Sequence, residues 1–216
     1  MPAPLFIHQR THAENSLIEV ALRLKKLPVL YRDAEMQALA LTDSNNMFAA
    51  LEFSVAMSGA GVQPILGCQI DLQDVAPRPG ERRKDPASLV LLAQSETGYE
   101  HLMKLNSCLY LRGDGTLPHV TVEELAVHAG DIICLTGGPN GPVGKLLQTG
   151  QHPAARALMD RLAEIFDERR FIERQRQPTH GQPKAESLTA RPPVEGAYAT
   201  EPATVATNHL YLPKTH

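Results

Sequence analysis

Two histidines and an arginine follow the first apolar run of the chain, in the stretch HQRTH that contains His8, Arg10 and His12. Alternate residues of a strand point to the same side of a sheet, so these three side chains would face one pocket. Imidazoles bind divalent metal ions, whereas a guanidinium stays protonated and has no lone pair to donate. Two histidines alone would hold an ion weakly. The pattern therefore favours two hydrogen-bonded histidines beside an arginine over a metal centre.

A second polar cluster, TDSNN, follows the apolar run ALAL and contains Asp43, Ser44, Asn45 and Asn46. Polar residues at the C-terminal end of a buried strand are where α/β proteins keep their sites. Asp43 is a candidate metal carboxylate, and it is also a candidate N-cap for the helical pattern that comes next. The cap is the favoured interpretation, because aspartate oxygens commonly accept the orphan N–H groups of a first helical turn.

Two further clusters have weaker signals. The glycines of LTGGPNGPVG, residues 135–144, suggest a phosphate-binding loop, but the spacing matches neither GxxxxGK[ST] nor GxGxxG, and a tight turn is favoured. Arg169, Arg170, Arg174 and Arg176 form a local basic patch that would suit nucleic acid or an acidic partner, although a solvated helix end is favoured. The motifs GxSxG, HExxH and CxxC are absent from the sequence, as is an Asp-x-Asp pair for two-metal nucleotidyl transfer.

The elements that would position these clusters alternate between strand and helix. Over the first 70 or so residues the order is strand, helix, strand, helix, strand, which predicts parallel pairing with right-handed crossovers. Asn15 or Ser16 would cap the first helix, and Pro28 would kink or break it. The second helix would end at Gly59 or Gly61.

The later part of the sequence continues the alternation. DLQDVAPRPGERRKDPAS has three prolines and a charge run, which predicts an exposed loop or hairpin. Further strands are predicted at SLVLLAQ, DIICLTGG, FIERQRQ and TVATNHLYL, and helices at TGYEHLMKLNSCLYL, VTVEELAVHAG and HPAARALMDRLAEIFDERR. Residues 178–202 predict a weakly ordered loop. About six or seven strands suit an α/β barrel or an open doubly wound sheet.

The bulk composition narrows the class of protein. The 216 residues are 43% hydrophobic and 21% charged, as in ordinary globular domains, and a net charge of -3 argues against a dedicated nucleic-acid module. Three cysteines without a CxxC pair predict buried, reduced thiols. Neither a signal-peptide pattern nor an apolar run of membrane-spanning length is present, so we expect a cytoplasmic protein with no membrane partner.

Several segments follow one another in a recognisable order: FIHQRTHAENSLIEVALRLKKL, ALALTDSNNMFAALEF, GVQPILGCQIDL, VLLAQSETGYEHLMKLNS, DIICLTGG, IFDERRFIERQRQPTHGQP and VATNHLYL. This order resembles the N-terminal PHP (polymerase and histidinol phosphatase) domain of bacterial DNA polymerase III alpha subunits. TDSNNMFAALEF and PILGCQ are more similar to the replicative form than to the error-prone paralogue. The resemblance implies an α/β fold, a distorted seven-stranded (β/α) PHP-type barrel. We expect residues 1–216 to form one such domain, a fragment of a larger polymerase subunit that lacks the barrel's last elements.

In active members of this family, residues at the strand ends hold metal ions that hydrolyse phosphate esters, in some polymerases as a 3′–5′ exonuclease. By the resemblance, the family's His-x-His pair falls on Arg10 and His12, and the acidic position after the first strand falls on Glu19. The histidine after the Thr-Asp pair corresponds to Ser44, and the glutamate of the third strand corresponds to Gln69.

The remaining positions of the family's metal site are also changed. The histidine that opens the VLLA strand corresponds to Ser88, and the cysteine after the next strand to Gly138. The terminal Asp-x-His corresponds to His209 and Tyr211. By this mapping only His12 and Glu19 keep a ligand of the family's kind, and His209 is a candidate substitute.

The chemistry of these substitutions predicts a vestigial site. The electrostatic repulsion between an arginine and a cation 4 Å away is roughly 4 kcal/mol per unit charge at an effective dielectric constant of about 20. We therefore expect Arg10 to replace the metal and to pair with Glu19 or Asp43, with His8 and Asp43 as further pocket residues. TDSNN would be the floor of an ancestral metal site that is now polar and structural.

The resemblance implies a scaffold rather than an enzyme for this part of the polymerase. Its expected partners are the rest of the alpha subunit, the proofreading exonuclease subunit and, through the parent complex, DNA. We expect no cofactor on this fragment and Mg²⁺ on the parent polymerase. The alternative is a metal-dependent phosphoesterase or 3′–5′ exonuclease, in which Zn²⁺ or Mn²⁺ would use a reduced site. That site would be built from His8, His12, Glu19, Asp43 and His209.

Overall fold

The structure is a computed structural model that describes residues 7–13, 24–73, 86–112, 117–175 and 204–207. The strands are β1 (Ala38–Leu41), β2 (Gln63–Gln73), β3 (Ala87–Ala93), β4 (Val120–Thr121), β5 (Ile132–Leu135), β6 (Arg170–Gln175) and β7 (Thr204–Thr207). The helices are α1 (Leu27–Asp33), α2 (Ala50–Gly59), α3 (Glu96–Leu111), α4 (Val122–Val127), α5 (Pro142–Gln148) and α6 (His152–Phe166). Short 3₁₀ turns occupy Leu24–Lys26, Gly138–Asn140 and Asp167–Arg169.

The seven strands form one curled sheet, in the order β1-β2-β3-β5-β6-β7 with β4 against β2. The pairs β1–β2, β5–β6 and β6–β7 are parallel, and β3 is antiparallel to both β2 and β5. The first described residues lie beside β1 through a parallel bridge between His8 and Leu39. The mixed α/β class is therefore confirmed, although parallel pairing does not extend to β3.

Alternation along the strands divides the core into two layers. Leu89 and Leu91 of β3 pack with Cys68 and Ile70 of β2 under the helices α3, α4 and α6. The intervening residues of the strands face the inside of the curl, where Val90 and its buried neighbours form a smaller apolar cluster. Because successive side chains point to opposite faces, the odd-numbered polar residues of β2 are directed into that inner side.

Prolines and glycines lie at the ends of the described helices. Pro28 lies in the first turn of α1, where its missing N–H costs no hydrogen bond, so it begins a helix instead of kinking one. Helix α2 ends at Gly59, as expected, and Gly61 follows with a positive φ of 77°. The N-cap of α2 is Ala49, six residues after Asp43, so the predicted cap by Asp43 is wrong.

The glycine-rich stretch 135–144 is a turn that leads into a helix. Gly137 and Gly138 adopt positive φ angles of 79° and 61°, which glycine adopts more readily than other residues, and α5 starts at Pro142. The tight turn is confirmed, while α5 itself was not predicted. The loop predicted at residues 71–88 is wrong at both ends, because residues 71–73 belong to β2 and residues 87–88 belong to β3. Its residues 74–85 and the predicted loop at residues 178–202 lie outside the described residues. Within the described ranges, no helix combines the length and the apolar character that a membrane crossing requires.

The three cysteines are free thiols, of which Cys68 and Cys134 are buried and Cys108 is partly exposed. Burial raises the pKa of the Cys68 and Cys134 thiols to about 12. Burial also raises the pKa of Cys108, with a smaller contribution from the charge of Glu124. The expectation of buried, reduced thiols is thus confirmed for two of the three.

We predict that the folded chain at pH 8 exposes a single thiol, Cys108, to an aromatic disulfide reagent, and that all three react in urea. Only the thiolate attacks the reagent, and burial keeps Cys68 and Cys134 protonated and covered. Cys108→Ser should leave the folded chain unreactive. Fast reaction of two or more thiols before unfolding would contradict the burial.

The same two thiols give stability a pH dependence on the alkaline side. Their folded pKa of about 12 exceeds the ordinary value of 9.0, so above pH 9 the unfolded chain loses protons that the folded chain keeps. The contribution of these two thiols to the free energy of unfolding should therefore be fully present below pH 9 and be lost as pH rises toward 12.

Candidate functional site: a buried ion pair at the strand ends

Backbone hydrogen bonds and one carboxylate fix residues 7–13 along β1. The Ala40 N–H donates to the His8 carbonyl at 2.9 Å, and the Thr42 N–H donates to the Thr11 carbonyl at 2.8 Å. The Asp43 carboxylate accepts the Ala13 N–H at 2.7 Å, and Asp43 is 1% exposed. The side chain of Asp43 therefore holds the first segment in place instead of capping α2.

The Arg10 guanidinium on this segment lies in the interior, where it contacts the carboxylate of Glu173 in β6. Arg10 Nη1 donates to Glu173 Oε1 at 3.0 Å and to Oε2 at 3.2 Å, and Nη2 donates to Gln69 Oε1 at 2.6 Å. The two charged side chains are 3% and 0% exposed. An ion pair this deep needs close geometry and further hydrogen bonds to offset its desolvation.

Neighbouring polar groups supply those further bonds. Gln69 Nε2 donates to Ser44 Oγ at 3.4 Å, and the backbone N–H of Glu173 donates to Thr136 Oγ1 at 3.2 Å. The cluster thus joins five parts of the fold: residues 7–13, the turn after β1, β2, the turn after β5, and β6. We call Arg10, Ser44, Gln69 and Glu173 the barrel-mouth network.

A second polar cluster lies next to this network on the same face of β2. Asp71 Oδ1 accepts from Ser88 Oγ at 2.6 Å, and its Oδ2 accepts from Asn45 Nδ2 at 2.9 Å. The Asn45 side-chain oxygen in turn accepts the Asp71 N–H at 3.0 Å. Asn45 adopts a positive φ of 54°, which asparagine tolerates better than most residues. These bonds tie the turn after β1 to β2 and β3.

The structure brings together some of the predicted site residues and separates others. Arg10, Ser44 and Gln69 meet, as the family mapping implied, whereas Ser88 binds Asp71. His12 is fully buried on the segment that carries Arg10. Gly138 lies in the turn before α5. Glu19, His209 and Tyr211 lie outside the described residues.

Two expectations about the arginines are corrected. Arg10 pairs with Glu173, and the carboxylate of Asp43 instead accepts a backbone N–H. Arg170 is not part of an exposed basic patch, because its guanidinium is buried and donates to the Met159 carbonyl at 3.2 Å. The side chain of Arg174 and all of Arg176 lie outside the described residues. Arg169 donates to the carbonyls of Ala129 and Ile132 and thereby secures the start of β5.

Glu173 was missed by sequence reasoning, although a weak signal existed. It follows Phe171 by two residues in a strand, so the two side chains share a face, and Phe171 packs into the inner apolar cluster. An acid on the buried face of a strand requires a cationic partner. His8 belongs to a different environment, since its ring lies 5.9 Å from Tyr31 in a T-shaped contact against α1.

Comparison with known proteins places this arrangement in a family. The sequence matches the PHP domain over residues 8–177. The chain belongs to the PHP domain family. This confirms the resemblance drawn from the ordered segments, and the barrel-mouth network lies at the strand ends of a PHP domain.

Relatives with similar sequences are DNA polymerase III alpha subunits. The protein of that name from Caulobacter vibrioides is 37% identical over 97% of this chain, which spans 18% of its length. The Treponema pallidum protein is 35% identical over 74% of the chain and the Haemophilus influenzae protein 35% over 67%. In these two the chain spans 14% and 12% of the length. The chain thus corresponds to a small part of each relative.

A solved structure shows the same fold at low identity. The crystal structure of a candidate metal-dependent phosphoesterase from Bifidobacterium adolescentis superposes with a TM-score of 0.53 at 11% identity. The match covers 88% of this chain and 84% of that one. The PHP-type architecture is therefore shared.

The residues of the barrel-mouth network do not fit the metal ion that the family implies. A divalent cation needs several converging imidazoles or carboxylates, and the network contains one carboxylate with both oxygens already bound to a guanidinium. The fixed charge of Arg10 would repel a cation there. Among the described residues, no group of three His, Cys, Asp or Glu side chains could hold a metal.

We predict that Arg10→Met lowers the free energy of unfolding by about 3–5 kcal/mol, because it leaves the Glu173 charge buried without its cation. Arg10→Met/Glu173→Leu should recover most of that loss, since it removes both charges. A double-mutant cycle measures the coupling between the two residues, by urea unfolding of the wild type, Arg10→Met, Glu173→Leu and the double variant.

The exposed ion pair between Arg161 and Glu123, with 44% and 70% exposed side chains, provides the matched control. Arg161→Met should cost less than about 1 kcal/mol, because water screens such pairs. Equal losses for Arg10→Met and Arg161→Met would contradict a central role for the buried pair.

Proposed function

We propose that the chain is the PHP domain of a DNA polymerase III alpha subunit and serves DNA replication as a structural, partner-docking unit. The observation that carries the structural role is the buried Arg10–Glu173 ion pair, with Gln69 bound to the same guanidinium. In this proposal the arginine replaces the cation of an ancestral metal site, so the domain keeps its architecture without metal-dependent hydrolysis.

The physical basis is that one guanidinium can perform the structural part of a metal ion's work. It carries a permanent positive charge and presents several N–H donors in a fixed plane. Arg10 uses two of its nitrogens to bind side chains from β2 and β6, which a metal with carboxylate ligands would otherwise join. In this proposal the guanidinium holds the strand ends together but cannot act as the electrophile that phosphate-ester hydrolysis needs.

The proposed partners are the rest of the alpha subunit, the proofreading exonuclease subunit and, through the assembled polymerase, DNA. Support comes from the relatives, which are named DNA polymerase III subunit alpha and extend far beyond the segment matched by this chain. The Mg²⁺ ions of nucleotidyl transfer would belong to the parent polymerase.

A reduced metal site is the second candidate, in which Zn²⁺ or Mn²⁺ supports a phosphoesterase or 3′–5′ exonuclease. The observation that favours it is His12, which is fully buried on the same segment as Arg10 and retains the family's ligand type. Its other ligands would come from His8, Glu19, Asp43 and His209, of which Glu19 and His209 lie outside the described residues.

The deciding experiment measures nuclease activity and bound metal on one preparation of the 216-residue chain. With Mn²⁺ or Zn²⁺ we expect no release of nucleotides from 3′-labelled single-stranded DNA, for the wild type and for His12→Ala alike. Cleavage that His12→Ala abolishes would establish the reduced metal site and overturn the structural proposal. Cleavage that survives His12→Ala would indicate a contaminating nuclease, to be removed by further purification before the comparison is repeated.

The docking role is tested by surface plasmon resonance with the proofreading exonuclease subunit of the same organism. We expect saturable binding to the folded chain and none to chain unfolded in urea before immobilisation. Arg10→Met/Glu173→Leu should bind as the wild type does, because the ion pair is internal. Absence of binding to the folded chain would remove the exonuclease from the proposal and leave the scaffold role within the alpha subunit.

A further inference from the structure

Two histidine rings lie close together on the helix-covered side of the sheet, and neither belongs to the barrel-mouth network. His101 projects from α3, and His128 is the residue at the C-terminal end of α4. Their ring centroids are 5.8 Å apart, with an interplanar angle of 43°. Both residues are partly exposed, so the rings are accessible to an ion from solution.

The separation of the rings suits a shared metal ion. With metal–nitrogen bonds of about 2.1 Å and a roughly tetrahedral angle, two imidazoles on one Zn²⁺ have ring centres ~5–6 Å apart. The observed distance falls in this range without a change of backbone. Rings that only pack together occur over ~4.5–7 Å, which includes the observed distance, so the metal site is argued from the ring nitrogens as well as from the spacing.

A backbone carbonyl orients the His101 ring. His101 Nδ1 lies 2.8 Å from the Gly130 carbonyl oxygen, which can only accept, so Nδ1 is the donor and Nε2 is the ring nitrogen that could bind a metal. Metal-binding histidines generally donate their second ring nitrogen to a carbonyl or carboxylate in this way. The carbonyl comes from the turn that follows His128, so one turn positions both rings.

The surroundings of the second ring lower its pKa. Burial is the largest cause of the lowered pKa of His128, the neighbouring His101 and Lys104 lower it further, and Glu124 acts in the opposite direction. Glu124, one turn earlier on α4, is held by Arg112 at 2.6 Å and by the Thr121 N–H at 2.8 Å. A neutral imidazole is the form of histidine that binds a metal ion.

We propose that His101 and His128 form a two-histidine binding site for Zn²⁺ that links α3 to the turn between α4 and β5. Two waters complete the coordination, so the ion keeps open positions and binds more weakly than in a site with four protein ligands. The site differs from the family's barrel-mouth metals in its residues and in its place outside the sheet, and it does not depend on the proposed function.

The test is isothermal titration of the metal-free 216-residue chain with Zn²⁺ at pH 7.5, followed by thermal unfolding with and without the ion. We expect a titratable Zn²⁺ site, a higher melting temperature with Zn²⁺ than with Mg²⁺, and a loss of affinity of at least about tenfold for His101→Ala and for His128→Ala. His152→Ala, at the exposed start of α6, is the matched control and should bind as the wild type does.

Nuclear magnetic resonance of the ring nitrogens separates this site from other histidines. Zn²⁺ should shift the His101 Nε2 signal and a His128 ring nitrogen together, with the same dependence on concentration. Unchanged affinity in both alanine variants, or shifts of the two rings at different concentrations, would overturn the proposal. Barrel-mouth binding would instead respond to His12→Ala, so metal found in the nuclease experiment can be assigned to one site or the other.

Discussion

The side chain of Arg10 is only 3% exposed, so its charge requires an anionic partner inside the protein. The residues at the mouth of the barrel are arranged around this requirement. Arg10 reaches Glu173 across 163 positions of sequence, and the same side chain holds Gln69. The first segment, the turn after β1 and the strands β2 and β6 are thereby fixed relative to one another. Removal of either charge alone would leave the other charge unpaired in a low-dielectric environment.

The layers of the fold explain why a polar network can exist at this depth. Outward-facing residues of β2, β3 and β5 pack beneath the helices, and the inward-facing residues form a smaller apolar cluster around Val90. Farther along the strands the inward positions become polar, at Gln69, Asp71 and Ser88. Each of these side chains has a bonded partner across the sheet or in the turn after β1, so the inner polar layer is closed by its own hydrogen bonds.

A catalytic architecture of the PHP type and a structural role are compatible on this basis. In the proposed function, a permanent cation and the groups that bind it stand in for the family's metal ligands, so that the connections between strand ends persist. The proposed role within a polymerase subunit depends on these connections. The two-histidine site proposed on the outer surface would act independently, because it draws on α3 and α4 rather than on the barrel mouth.

The sequence by itself determined the class of fold, the family and most of the helices and strands, because hydrophobic periodicity and turn residues are local signals. It also indicated that Arg10, Ser44 and Gln69 would share one site. Tertiary structure alone decided that Glu173 is the partner of Arg10, that Asp43 holds the backbone of Ala13, and that Arg170 is buried. The physical reason is that a buried charge is satisfied by whichever group the curl of the sheet brings within hydrogen-bonding distance, and that distance is not encoded in any local pattern.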